Sequence, residues 1–224
     1  MLETLNVEPM EYEVPNYGEL KRVFGHCLEV YQRVRVSKAV LGKRQRALLR
    51  GEEQVWHDVK VGKYRVTYVF LIKNRLWHVV LHLDDGHDRS KVVSQNMGDG
   101  HQVFMVLRRH AVERYVQRQV WHDMSHELTE VEYEEYSRRL ISQLNLVSFC
   151  YNGIGQYFMA SCDGGAFIAL PFGEDDVTPD VIMIQTFITV SMMKDNQRIS
   201  NGISSRRTTE MRQDIELIKK GVLI

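Results

Sequence analysis

The stretch Arg108-Arg109-His110-Ala111-Val112-Glu113-Arg114-Tyr115-Val116-Gln117-Arg118 decides how this chain is read. Ala111, Val112, Tyr115 and Val116, with Val120 beyond them, recur at helical spacing, while His110, Arg114 and Arg118 repeat every four residues. Residues four apart on a helix are neighbours, so one imidazole and two guanidiniums share a stripe, with Arg108 and Arg109 adding charge at its start.

Downstream, Thr129 followed by Glu132 has the form of a capping box opening a helix over residues 130–143. Four apolar runs follow, LVSFCY, QYFMAS, AFIALPF and VIMIQTFITV, punctuated by Gly153, by Asp163-Gly164-Gly165 and by a loop containing Pro179. Short strands joined by tight turns predict an antiparallel meander. A last helix is expected over residues 208–219, with Met211, Ile215 and Ile218 on one face and a stop at Gly221.

Upstream, Leu20, Val23, Phe24, Cys27, Leu28 and Tyr31 follow a helical period, with a second helix ending near Gly51. YRVTYVFLI and LWHVVLHL flank Lys73-Asn74-Arg75 as the arms of a hairpin, residues 84–88 close it as a loop, and QVFMVLR is either a third strand or the entry to the basic helix. Residues 1–17 are acidic, hold Pro9 and Pro15, and read as a loosely attached arm. The expected class is α+β: an antiparallel meander packed on helices over residues 105–224, preceded by a helical and hairpin region over residues 1–104.

The 224 residues are 44% hydrophobic and 26% charged, ordinary globular usage, with 29 basic side chains against 29 acidic ones. No global field draws such a chain to a polyanion, so any anion site must come from local clustering. No run reaches the ~18 to 20 apolar residues of a membrane helix, and the N-terminus carries acids where a secretory signal carries bases. A cytoplasmic protein without membrane contact is therefore expected. Cys27, Cys150 and Cys162 lack metal spacing and read as buried thiols.

An imidazole titrating near neutral pH beside two permanent cations suits cleavage of an RNA phosphodiester: the ring moves a proton, and the guanidiniums hold the phosphate. No metal or cofactor is needed for that chemistry. The bland alternative is a solvated helix face whose arginines pair with Glu113 and the acids of the next helix. Two metal drawings, His122 with His126, and His78 and His82 with Asp84, Asp85, His87 and Asp88, lack the spacing of an established site. Arg33, Arg35, Lys38, Lys43, Arg44, Arg46 and Arg50 form an acid-free basic segment that could grip a phosphate backbone or simply be solvated.

The stretch over about residues 105–193 resembles a family of small toxin-like and phage-associated domains with the barnase, EndoU, colicin and RelE type of ribonuclease fold. Members show an H-A-x-x-R-x-x-x-R helix, a second helix, then three or four antiparallel strands, the last carrying a hydroxyl residue. His110-Ala111, Arg114, Arg118, the strands around Phe149, Phe158 and Phe167, and Thr186-Phe187-Ile188-Thr189 carry the likeness. The segment WHDMSHE between the helices departs from it.

The resemblance implies that His110 is the acid/base group, Arg114 and Arg118 the phosphate ligands, and Thr186 or Thr189 a hydroxyl in the same cleft. In a regular strand these threonines point to opposite faces, and Thr186 is preferred. Arg108, Arg109, Tyr157 and Thr189 are the expected substrate contacts. The expected function is a metal-independent endoribonuclease or ribonuclease-like toxin, with RNA as partner and a protein inhibitor or antitoxin beside it. The alternative is a non-catalytic RNA- or protein-binding module of a defence or mobile-element system, with FMAS and SMMKDNQ as interface rather than core.

Overall fold

The computed structural model describes residues 16–35, 37–52, 54–71, 75–84, 89–96, 102–173 and 179–219. Two helices, α1 (Tyr17–Arg35) and α2 (Lys38–Leu49), precede five strands: β1 (Gln54–Val61), β2 (Tyr64–Leu71), β3 (Arg75–Asp84), β4 (Arg89–Asn96) and β5 (Gln102–Arg108). The basic stretch forms α3 (Arg109–Tyr115), continued by a π-helical turn, Val116–Val120. Then come α4 (Glu130–Leu144), the strands β6 (Phe149–Asn152), β7 (Tyr157–Cys162), β8 (Gly165–Phe172) and β9 (Val181–Thr189), and α5 (Asp195–Lys219).

Among the described residues nine strands join one sheet in the order β1-β2-β3-β4-β5-β9-β8-β7-β6. Each half is an antiparallel meander, and the halves meet at β5 and β9, which run parallel with Phe104 opposite Val181 and Leu107 opposite Ile184. The protein is thus α+β, but its sheet is mixed rather than purely antiparallel. The boundary expected at residues 104/105 falls inside β5, which pairs with both halves. β1 and β4 are strands that the sequence pattern does not announce.

Alternation along β5 shows why the sheet is covered on both sides. Val103, Met105 and Leu107 enter a core beneath α3 and α4, whereas Phe104 and Val106 enter a second core beneath α1 and α2. A strand buried on both faces must be apolar through its middle, as Val103 to Leu107 are within QVFMVLR. Arg44 of the basic segment is buried with its guanidinium 4.6 Å from the centre of the Phe70 ring, so that segment is partly packing.

The capping box opening α4 forms as expected: the Thr129 hydroxyl accepts from the Glu132 amide, and Glu132 accepts from the Thr129 amide at 2.9 Å. Such a cap contributes about 1 kcal/mol. α5 starts thirteen residues before its expected position, at Asp195 rather than Thr208. Its docking face is made of hydroxyls: Ser204 Oγ accepts from the Ser161 amide at 2.9 Å and donates to the Ser148 carbonyl at 2.5 Å. Thr208 Oγ1 accepts from the Ser148 amide at 2.9 Å, and Asn152 donates to Ser200 Oγ at 3.1 Å. These groups replace the apolar stripe on which sequence periodicity depends.

Cys27 and Cys150 are buried and Cys162 partly so, all as free thiols. In FMAS, Phe158 and Met159 are core, as is Met193 of SMMKDNQ, while Met192 is half exposed. Among the described residues no helix is long and apolar enough to cross a membrane. The N-terminal arm up to residue 15, the loop 85–88 and the stop at Gly221 lie outside the described residues.

Candidate functional site

α3 leaves β5 without a break, and its buried side chains decide what it displays. Ala111, Val112 and Val116 enter the core, and the Tyr115 ring lies 5.8 Å from that of Phe167 and 5.2 Å from that of Phe187. His110 and Arg114 are left on the outer side. The His110 side chain is 46% exposed.

Arg114 Nε donates to His110 Nε2 at 3.4 Å, which places the proton of the neutral ring on Nδ1, 3.8 Å from Glu113 Oε2. The Arg114 guanidinium is held by an amide, not an acid: Nη1 donates to Gln117 Oε1 at 2.9 Å. Gln117 is buried and donates in turn to the His126 carbonyl at 2.8 Å. Glu113, a neighbour in sequence, meets the imidazole instead.

Arg118 follows a different course because the helix widens. Within the π turn it donates through Nη1 to the Phe187 carbonyl of β9. Burial, and then the Arg114 charge, push its pKa below the ordinary guanidinium value. Short π turns recur at functional sites, where they re-aim a side chain. Here the turn sends Arg118 to the sheet, half buried, while Arg114 stays with His110.

The remaining arginines diverge. Arg108 donates to Gln185 Oε1 at 2.8 Å. Arg109 binds Glu130 at 2.6 Å and the Leu128 carbonyl at 2.8 Å, with its guanidinium 5.0 Å from the centre of the Tyr133 ring, so it fastens the entrance of α4.

The hydroxyls divide between the faces. Ile184 pairs with Ala169 and Thr186 with Ile168, so Gln185 is the extra residue of a bulge. The bulge breaks the alternation that regular spacing assumes: Ile182, Ile184 and Phe187 all enter the core under α3, whereas Ile188 enters a small cluster with Met159, Ala166 and Met193. Thr186, in a cross-strand row with Ile168 and Met159, lies on that far face, and Tyr157 packs against the same cluster. Thr189 shares its row with Gly165 and Cys162, and Cys162 packs on the α3 side. Its Oγ1 is 2.9 Å from Ser191 Oγ. The structure therefore brings together His110 and Arg114, places Arg118 and Thr189 on the same side at β9, and separates Thr186 and Tyr157 from them.

WHDMSHE adds Trp121, which spacing did not single out, beside the two histidines that it did. Trp121 is 53% exposed, with its ring stacked on that of His126 at 5.1 Å. His126 also lies 3.0 Å from Glu132, whereas His122 sits 2.9 Å from the Arg118 carbonyl. These two histidines serve separate contacts, and among the described residues no group of three His, Cys, Asp or Glu side chains could hold a metal ion.

A second polar constellation, not foreseen from the sequence, lies beneath α4. Lys91 is almost fully buried and its ammonium is 2.9 Å from Glu134 Oε2 and 3.2 Å from His82 Nδ1. Arg65 Nη2 binds Glu134 Oε1 at 2.6 Å and His82 Nδ1 at 2.8 Å. His82 Nε2 is 2.7 Å from Thr67 Oγ1, and the Thr67 hydroxyl donates to Asp58. The acceptor role of Nδ1 fixes the proton on Nε2. Burial, then the Lys91 and Arg65 charges, push His82 down to about 3 and keep the ring neutral. Its residues come from four strands and one helix, so no local spacing announces it.

The sequence matches no protein-family model, no curated protein and no solved structure.

Proposed function

We propose that the face carrying His110, Arg114 and Arg118 acts on RNA as a metal-independent endoribonuclease. The observation that carries this reading is the pairing of a half-exposed imidazole with a guanidinium that an amide, not a carboxylate, holds in place. His110 takes the proton of a ribose 2′-hydroxyl; the 2′-oxygen bonds to phosphorus as the bond to the 5′-oxygen breaks, and that oxygen leaves with a proton from water. Arg114 faces the developing phosphate charge, and Thr189 and Arg118 border the site at β9. Trp121 supplies an exposed aromatic surface on which an unpaired base can stack. The products are a 2′,3′-cyclic phosphate and a free 5′-hydroxyl. The test is incubation of the purified chain with total RNA in excess chelator, with His110→Ala as comparison. Equal fragment yield from both proteins removes His110 from the mechanism.

One observation favours a second reading, a non-catalytic RNA-binding module. Arg118 is engaged with the Phe187 carbonyl and Thr186 is on the far face, so fewer groups converge than the resemblance implies. In that case RNA is retained without fragments in the same incubation.

A further inference from the structure

A cavity of about 430 Å³ opens between the β1–β2 turn, the ends of β3 and β4, and α4. Lys63, Arg65, His82, Arg89 and Glu134 line it, with Tyr133 at its wall. Two ammonium or guanidinium groups, Lys91 and Arg65, meet there on the single carboxylate of Glu134. His82 cannot offset either of them, since its lone pair already accepts from both and it carries no negative charge.

The two cations differ in exposure, and that difference assigns their roles. The Lys91 side chain is 2% exposed, a fixed charge behind the wall; the Arg65 side chain is 53% exposed and stands at the opening. Arg65 uses only Nη2 for Glu134 and His82. Its Nε and Nη1 have no partner among the described residues, and each can donate singly to an oxygen of a phosphate or carboxylate. Lys63, 5.0 Å from the centre of the Tyr64 ring, adds a further cation at the rim.

We infer that this cavity is an oxyanion site of the phosphate class, in which Arg65 and Lys63 take the ligand and the buried Lys91 offsets the charge of Glu134 in its wall. The phosphate can belong to a small free compound or to a nucleic-acid strand. Glu130 binds Arg89 of the cavity on one side and Arg109, which precedes His110 in the chain, on the other, so the start of α4 lies between the cavity and the start of α3. The site itself does not depend on the ribonuclease reading.

Pyrophosphate and a single-stranded oligoribonucleotide are titrated separately into the full chain, read by calorimetry and by backbone amide shifts. Pyrophosphate is expected to move amides in β2, β3 and β4 beside Arg65, His82 and Lys91. Arg65→Gln is expected to weaken pyrophosphate by about tenfold, with a smaller loss in Lys63→Gln and none in His110→Ala. If the oligonucleotide moves the same amides and also weakens in Arg65→Gln, the phosphate comes from a strand. If only pyrophosphate does so, the ligand is a small free compound. The thermal midpoint of each variant checks that the fold is kept, and Lys63→Gln, at the rim, keeps the test open where Arg65→Gln disturbs α4. Absence of saturable binding by either probe overturns the inference. So does binding that ignores Arg65 and Lys63, or pyrophosphate binding that falls with His110→Ala.

Discussion

Arg118 donates through Nη1 to the carbonyl oxygen of Phe187. The bond joins the π-helical turn after α3 to β9 just beyond the bulge at Gln185, so it sets how closely the basic face approaches the last strand. A charged donor to a half-buried carbonyl is among the stronger neutral-to-ion hydrogen bonds.

Replacing Arg118 by Ala removes that tie and leaves the Phe187 carbonyl unsatisfied. The variant is expected to lose about 1–2 kcal/mol in urea unfolding, alongside any loss of RNA contact. Parent-like stability would show that Arg118 is only a surface cation.

His110→Ala separates chemistry from folding. The ring is half exposed and outside both cores, so the stability change should stay within about 0.5 kcal/mol while RNA cleavage in chelator is lost. A large fall in the unfolding midpoint would instead make the imidazole structural.

Acid should weaken the protein well before ordinary carboxylates titrate. His82 is held down to about 3 by burial and then by the Lys91 and Arg65 charges, with Glu134 and Asp58 acting against them, and burial holds His78 down to about 4. In the unfolded chain both take protons near the free imidazole value of about 6.5, so the unfolded state binds more protons below it. Their contribution is complete above that value and is lost as pH falls toward the folded values. Urea midpoints measured from about pH 7.5 to about pH 4.5 should decline, and His82→Gln should flatten the slope. An unchanged slope in that variant would show that His82 is not held neutral.

At Glu134 burial alone would raise the carboxyl, but the hydrogen bonds and charges of Lys91 and Arg65 more than offset it and hold it at about 2. Its stabilising contribution is present above the ordinary carboxylate range and lost below it. At neutral pH Glu134→Gln strands the buried ammonium and is expected to cost about 2 kcal/mol, since the carboxylate is only partly shielded from solvent. Adding Lys91→Met should restore most of that loss, because two neutral side chains leave no charge buried alone. A double variant no more stable than the single one would show that the pair is not coupled.

Gly165 is required by a close approach: a Cβ built there would lie 2.1 Å from the Ile188 carbonyl oxygen and 2.7 Å from the Phe187 ring. Gly165→Ala should cost about 2 kcal/mol or more by pushing β8 from β9 beside the Arg118 tie. Gly164, with φ +77, would bring a Cβ against the movable end of Gln119, and alanine there should cost about 1 kcal/mol from backbone strain. Equal losses at the two positions would contradict this ranking.

The parts legible in the sequence are those with a strong local period. α3, α4 and its Thr129 cap, and the β6–β9 meander follow from helical spacing, a capping box and turn residues. β4 was missed because RSKVVSQN offers only two apolar residues and buries Ser90 and Lys91 instead. The first half of α5 was missed because Ser200, Ser204 and Thr208 dock it through hydroxyls. Within the site, His110 and Arg114 were legible as a four-residue step. The orientation of Thr186 was not, since one extra residue at Gln185 reverses the alternation. The Lys91 network was invisible because its members meet only after the meander and α4 have packed.

The parallel pairing of Phe104 with Val181 also governs the order of assembly. During synthesis β5 emerges long before β9, so an apolar strand waits with one flank unsatisfied while two helices and three strands are still to be made. Until β9 arrives, the first meander has a sticky border open to other chains, and closing the middle of the sheet is the late event that turns two halves into one molecule.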